Sequence, residues 1–379
     1  MNFELTKEQQ DIIKAAREFA LGEFPNRAQE FDREETFDFG IWRKACELGF
    51  VGINIKEEYG GAGLGIFELC LVAQEFWAVD AGIGCSVHTT FGSELLDMYG
   101  TEEQKKKYLP PLPSGKAIMG TAITEPDAGS DAAGAVTTAI RDGNGYVING
   151  SKMFITNGNV ANYLLVFCLT DPDNRDKHKR HSFIMVETDR KGYEANKLYG
   201  KLGIRASNTT EISFSDVKVP VSNLVGEEHN GFKELMTFFD LTRILVCAQA
   251  VGIAKAALEE AIKYSKKRHQ FGMPLASFQV TQFKIAEMAT RIQAARNLYY
   301  EAAWMVDNGR IDPKLVAMAK WFSGEVAVQC ADESMQIHGG YGYLDEYKIQ
   351  RIYRDAKIVE IYEGTKEIEK IIIARSLLR

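Results

Sequence analysis

The spacing of the hydrophobic residues changes twice along this chain, and that double change constrains its fold more than any other feature. From Thr6 to about Leu109 the spacing is helical, with Ile12, Ile13, Ala16, Phe19 and Ala20 on one face and Phe67, Leu71, Val72 and Phe76 on another. Between about Thr121 and Val219 it shortens to β-rich runs at Tyr146–Ile148, Met153–Ile155, Tyr163–Leu169, Ser182–Val186 and Glu211–Val219. Turn signals such as Asp142-Gly143-Asn144-Gly145 and Asn157-Gly158-Asn159 separate these runs. No long helix intervenes, so an antiparallel barrel or sandwich is expected rather than a parallel sheet. After Gly231 the helical spacing returns, with helices expected at about Lys233–Lys267, Ser277–Asp307, Pro313–His338 and Lys366–Leu378. The expected fold is α+β and multidomain: an all-α unit over 1–119, an antiparallel β-barrel or sandwich over 120–227, and a four-helix bundle over 228–379.

Charge and cysteine usage narrow the function classes. A net charge of −7 argues against nonspecific binding to nucleic acid or membrane, which needs a basic surface. Any anionic ligand must then meet a local cationic spot. Cys46, Cys70, Cys85, Cys168, Cys247 and Cys330 are scattered without a CxxC pair, which suits buried thiols in a reducing compartment better than disulfides or zinc. No metal site is expected. The N-terminus reads as a capping box, Thr6-Lys7-Glu8-Gln9, opening an amphipathic helix and not as a signal peptide. No apolar run is read as approaching the roughly 20 residues that span a bilayer, so a cytoplasmic location is expected.

Several clusters carry possible chemistry. Ile123-Thr124-Glu125-Pro126-Asp127-Ala128-Gly129-Ser130 is either a polar turn or a place where exposed amides and hydroxyls meet a flat heteroaromatic ligand. Phe154-Ile155-Thr156-Asn157-Gly158 reads as the end of a β-hairpin, or as a wall against the same ring. Arg268-His269-Gln270-Phe271-Gly272 ends a lysine-rich helix, and Arg268 either complements that helix end or meets a phosphate with Gln279 just downstream. Gln336-Ile337-His338-Gly339-Gly340-Tyr341-Gly342 is a flexible turn, or a close backbone approach to a nucleotide. Asp240 and Arg243 share a helix face as a surface ion pair or as a pair presented to a polar ligand. Gly60-Gly61-Ala62-Gly63 lacks the strand and spacing of a dinucleotide fingerprint. Tyr362-Glu363-Gly364-Thr365-Lys366, before the last helix, holds a glutamate at a bend that can take a proton if it faces a dry pocket.

Taken in order along nearly the whole chain, these segments resemble the acyl-CoA dehydrogenase family, and most closely its short-chain, butyryl-CoA type bacterial members. The resemblance implies a homotetramer with FAD between the β and helical units and across a subunit boundary. Thr121, Ile123, Thr124, Ser130, Phe154 and Thr156 would then line the flavin. Arg268, Phe271, Gln279, Gln336, Gly339 and Gly340 would hold its diphosphate and adenosine from a neighbouring subunit, and Thr365 and Glu367 would also contact it. Ser130, Asp240 and Arg243 would touch the CoA portion, Gly364 the thioester, and Phe91, Phe239 and Tyr362 the acyl group. Glu363 matches the family's usual base, expected to take the α-proton while the β-hydrogen leaves as hydride to flavin N5.

A carboxylate beside Tyr362 and an acyl chain should have a raised pKa. Some family members place the base on the helix that here carries Asp240–Arg243; that position holds Thr242, which cannot act as a base near neutral pH. By the resemblance, Phe91, Phe238, Phe239 and Tyr362 would make a bulky lining that favours short, branched or alicyclic acyl groups, and His88 is read as a pocket-wall or core histidine rather than an acid–base group. The expected activity is α,β-dehydrogenation of such an acyl-CoA, with an electron-transfer flavoprotein as acceptor. The alternatives are an enoyl-CoA reductase running in reverse and a nitroalkane oxidase or monooxygenase on the same scaffold.

Overall fold

A computed structural model describes residues 4–378. The N-terminal helices are α1 (Lys7–Glu23), α2 (Pro25–Glu34), α3 (Phe39–Glu47), α4 (Ile66–Val79), α5 (Ala81–Val87), α6 (Ser93–Tyr99) and α7 (Glu102–Tyr108). Short polar side chains start several of them. Thr6 and Gln9 close the expected capping box on α1, Asp38 caps α3, and the Asp80 carboxylate accepts from the Ile83 amide at 3.0 Å to open α5.

The middle strands are β1 (Met119–Ala122), β2 (Thr138–Asp142), β3 (Gly145–Thr156), β4 (Tyr163–Leu169), β5 (His181–Glu187), β6 (Tyr193–Lys197), β7 (Thr209–Pro220) and β8 (Leu224–Val225). They form one sheet in the order β6-β7-β3-β2-β4-β5-β8, with β1 added on β4. β4 is buried along its whole length, which is why it reads as an unbroken apolar run.

Three sequence expectations change here. The sheet is mixed, because β1 and β2 both run parallel to β4. Long connections lie between these strands, so parallel neighbours are reachable. The runs at Tyr146–Ile148 and Met153–Ile155 are one strand, interrupted only by irregular register against β7. Phe154–Gly158 does not close a hairpin, since β3 pairs with β7 and β2 and the chain leaves it for β4. The turn at Asp142–Gly145 does join a hairpin, β2 to β3, with Gly143 left-handed at φ 57°.

The C-terminal helices are α8 (Gly231–Lys267), α9 (Gln279–Asp307), α10 (Pro313–His338), α11 (Lys348–Ala356) and α12 (Lys366–Leu377). α11 is absent from the sequence reading. Its apolar face is narrow: Ile349, Ile352 and Ala356 are its buried apolar residues, with Asp355 buried beside them. α8 is the centre of the bundle. It contains an 18-residue stretch apolar enough to cross a membrane, contrary to the sequence reading, yet 89% of that stretch is buried inside the fold. Its small residues permit close helix crossings: a Cβ on Gly252 would lie 2.5 Å from the Gln74 carbonyl and 3.0 Å from Trp77 Cβ on α4. All six cysteines are free thiols.

Candidate active site

The polypeptide between α11 and α12 turns sharply at Glu363 and Gly364, with φ of 56° and 110°. A left-handed glutamate is uncommon, so the surroundings must fix it. They do so through the backbone. Arg243 Nε donates to the Glu363 carbonyl at 3.0 Å, and Lys320 Nζ donates to the Gly364 carbonyl. A side chain at position 364 would collide with the Glu369 carboxylate and sit 3.3 Å from Arg243 Nη2, so glycine is required there for space as well as for φ.

The turn aims the Glu363 side chain at α8, where Thr242 Oγ1 donates to Glu363 Oε2 at 2.6 Å. Burial raises the Glu363 pKa, opposed by that hydrogen bond and by the charges of Arg243 and Lys320. This is the expected direction. Beside it, Tyr362 Oη donates to Gln249 Oε1 at 2.5 Å, tying the turn to α8 a second time. A second buried carboxylate, Glu94, accepts from Asn54 at 3.0 Å and from the Gly92 amide at 3.3 Å, and burial raises its pKa also.

Asp240 and Arg243 are not a surface pair. Arg243 is 4% exposed and spends its guanidinium inward, with Nε 3.2 Å from Glu369 and only a long 3.5 Å contact from Nη1 to Asp240. Asp240 is half-buried, and that burial lifts its pKa to about 6 against the pull of Arg243. Phe91 packs edge-on against Phe238 at 5.2 Å, Phe238 lies 6.4 Å from Phe239, and Arg243 sits over the Phe239 ring at 5.3 Å. Phe238 and Phe239 stand on α8 one turn before Thr242, with Phe91 packed against Phe238 from the segment before α6. His88 is neutral across the physiological range, since burial alone lowers its pKa to about 4. It borders a void of about 20 Å³ with Thr89, Thr90 and Gln249, room for about one water.

On the β unit, Thr121 is buried and its hydroxyl donates to the Phe91 carbonyl at 3.1 Å, so its side chain faces the protein and not a ligand. The next residues are pinned by a buried ion pair. Lys152 Nζ reaches Glu125 Oε1 at 2.8 Å and the Ile123 carbonyl at 2.9 Å, while the Thr124 carbonyl accepts from Met153 N at 2.8 Å. Thr124 and Thr156 stay partly exposed, Ser130 is exposed, and Phe154 holds a left-handed backbone at φ 61° with 66% of its surface open. Hydroxyls beside an exposed ring fit one face of a flat heteroaromatic group.

A separate open cleft of about 410 Å³ brings Arg268, Gly339 and Gly340 together with Tyr264, Tyr341 and Leu344. Arg268 lies over the Tyr341 ring at 5.3 Å and makes no ion pair among the described residues. Gly339, at φ 58°, and Gly340 have open space where a side chain would be. An uncommitted guanidinium facing bare backbone suits a diphosphate. Phe271 (92% exposed), Gln279 and Gln336 are exposed but do not line this cleft. Thr365 begins α12 next to the base, and Glu367 is exposed one turn on.

The sequence reading missed Thr242 as the hydrogen-bond partner of the base, and it missed Glu94, Lys320 and Glu369 altogether. Lys320 had a visible signal: it falls on the small-residue stripe of Ala317, Ser323, Gly324 and Ala327 that α10 buries.

A desolvated carboxyl held on the helical bundle, together with a face on the β unit suited to a flat ring, fits an oxidoreductase of the flavin-dependent kind. The comparisons make the family specific. Residues 6–116, 120–217 and 229–378 match the N-terminal, middle and C-terminal domains of acyl-CoA dehydrogenases. The chain belongs to the acyl-CoA dehydrogenase family, oxidoreductases that act on acyl-CoA with FAD as cofactor. It is 44% identical to an acryloyl-CoA reductase (NADH) of Anaerotignum propionicum over 100% of this chain and 96% of the relative. Its fold superposes on butyryl-CoA dehydrogenase from Megasphaera elsdenii with a TM-score of 0.96 at 40% identity, covering 100% of both chains. A chain solved in work on the electron transferring flavoprotein of Acidaminococcus fermentans gives 0.97 at 42% identity, again covering 100% of both.

Proposed function

We propose that this enzyme dehydrogenates a short or compact acyl-CoA between its α and β carbons, with Glu363 as the base. One observation carries the reading: a partly buried carboxyl, held by Thr242 at 2.6 Å on a turn whose two carbonyls are both anchored. An α-proton of a thioester is weakly acidic, so its acceptor must be strengthened by desolvation and held in place. Glu363 Oε1 is the oxygen left free of Thr242, and it takes the proton. FAD, when bound, accepts the β-hydrogen as hydride. Thr124, Ser130, Phe154 and Thr156 would hold its ring, with Ile123 held beside them by Lys152, and Thr365 and Glu367 adjoin it. Arg268, Gly339 and Gly340 would hold its diphosphate, with Phe271, Gln279 and Gln336 offered to a neighbouring copy.

The packed rings of Phe91, Phe238 and Phe239, and the Tyr362–Gln249 bond, support a small acyl group. Asp240 and the backbone of Gly364 would lie towards the CoA and thioester. Arg243 holds the turn through Nε, while Nη1 makes only a long 3.5 Å contact to Asp240 and Nη2 has no hydrogen bond among the described residues, which leaves them for the CoA portion.

A raised Glu363 pKa serves the reverse reaction equally, since the protonated acid can return a proton to the α carbon. The similarity to an acryloyl-CoA reductase favours that second reading. Electrons would pass to an electron-transfer flavoprotein, a reading supported by the likeness to the Acidaminococcus chain. A cytoplasmic homotetramer is the assembly proposed, supported by exposed Phe271, Val280, Phe283 and Leu378. The test is anaerobic bleaching of the flavin by a panel of acyl-CoAs, with butyryl-CoA and branched or alicyclic analogues expected to bleach fastest. Bleaching by none of them, with turnover of a nitroalkane or O₂-dependent hydroxylation instead, would overturn the proposal.

A further inference from the structure

We infer that Lys320 and Glu369 are positioning residues for the base: a buried cation and a buried anion that hold the Glu363–Gly364 turn and set how tightly Glu363 binds its proton. The inference rests on reading Glu363 as the base. Lys320 is 1% exposed on α10 and Glu369 is 0% exposed on α12, so neither charge has water to solvate it. Lys320 donates to the Gly364 carbonyl, and Arg243 donates to the preceding carbonyl at 3.0 Å. Two cations therefore grip the two carbonyls of a left-handed pair, the arrangement that keeps the turn from relaxing.

Glu369 is the counter-charge. It lies 3.2 Å from Arg243 Nε and is packed against Gly364, and neither of its oxygens has a hydrogen bond among the described residues. Such a group is kept in place by electrostatics rather than by hydrogen bonding. The largest attraction on Lys320 comes from Glu369, with Glu363 further behind. Burial lifts the Glu369 pKa to about 7, with Arg243 and Lys320 pulling it back and Asp240 and Glu363 adding a smaller push upward.

The groups facing Glu363 and Glu369 come from every packed element. α8 supplies Asp240, Thr242, Arg243 and Cys247, α10 supplies Lys320, α6 supplies Glu94, and Tyr362 adjoins the base. Arg243 and Lys320 stabilise the Glu363 carboxylate; Glu369 and Glu94, when ionised, oppose them. Substituting Lys320 and Glu369 must therefore change the base in opposite senses.

The experiment measures the rate of flavin bleaching by butyryl-CoA under anaerobic conditions across pH for FAD-loaded wild type, Lys320→Gln and Glu369→Gln. Lys320→Gln keeps a donor for the Gly364 carbonyl and loses the charge, so its acid limb moves to higher pH by about one unit. Glu369→Gln removes the opposing charge, and its limb moves to lower pH. A purely structural role lowers the rate at every pH and leaves both limbs where they were, which would overturn the inference. So would a Lys320→Gln protein that holds no FAD while Glu363→Gln holds it, since the lysine would then serve folding alone. Wild type that no acyl-CoA bleaches overturns the reading of Glu363 itself, whereas wild-type bleaching with unmoved limbs in both variants overturns only this inference.

Discussion

Thr242→Val removes a single hydroxyl from the site and keeps its shape. That hydroxyl donates to Glu363 Oε2 at 2.6 Å, a short bond to a charged acceptor. A hydrogen bond to a charged group is worth about 1.5–3 kcal/mol. Only the ionised form of Glu363 uses it fully, so about 1.4 kcal/mol of it corresponds to a pKa rise of about one unit. The sign follows directly: the wild-type bond lowers a pKa that burial raises, and removing it leaves burial opposed only by the charges of Arg243 and Lys320. The acid limb of flavin reduction by butyryl-CoA should therefore move up by about one pH unit. Below that limb the rate should fall about tenfold, and well above it the rate should be nearly that of wild type. Rapid-mixing bleaching measurements over a pH series decide the matter. A limb that stays put, or moves to lower pH, refutes the assignment of Thr242 as the partner of an ionising base.

Other outcomes follow from the same geometry. Lys152→Met leaves buried Glu125 without its cation, which costs about 3 kcal/mol of stability by denaturant unfolding and should also loosen FAD, because Lys152 anchors the Ile123 carbonyl. Unchanged unfolding midpoints would count against that ion pair. Arg268→Ala should lower FAD retention on gel filtration, with bleaching restored by added FAD. Full retention by that variant would remove Arg268 from the cofactor cleft. His88→Asn should leave the pH profile unmoved, since His88 stays neutral above about pH 4; a shifted limb would give it an acid–base role.

The fold was legible wherever burial is one-sided or complete. α10 begins and ends at Pro313 and His338, because proline opens it and Gly339 ends it, and β4 stands out as a run buried on every residue. β2 and β6 left no comparable trace, since much of each faces solvent and their polar residues mask the alternation. The site was legible in its motif and not in its support. Glu363 stands beside Gly364 in sequence, whereas Thr242, Lys320 and Glu369 converge from different helices and meet only in the folded chain. Helix spacing shows that Asp240 and Arg243 share a face of α8. It does not show whether that face is covered.

The most direct test of the account is the reductive half-reaction of Glu363→Gln. This substitution keeps the size of the side chain and an acceptor for the Thr242 hydroxyl, and it removes the base. The variant should purify yellow, hold FAD as wild type does, bind butyryl-CoA, and remain unbleached under anaerobic conditions at every pH. Bleaching at the wild-type rate would contradict the central claim that Glu363 takes the proton.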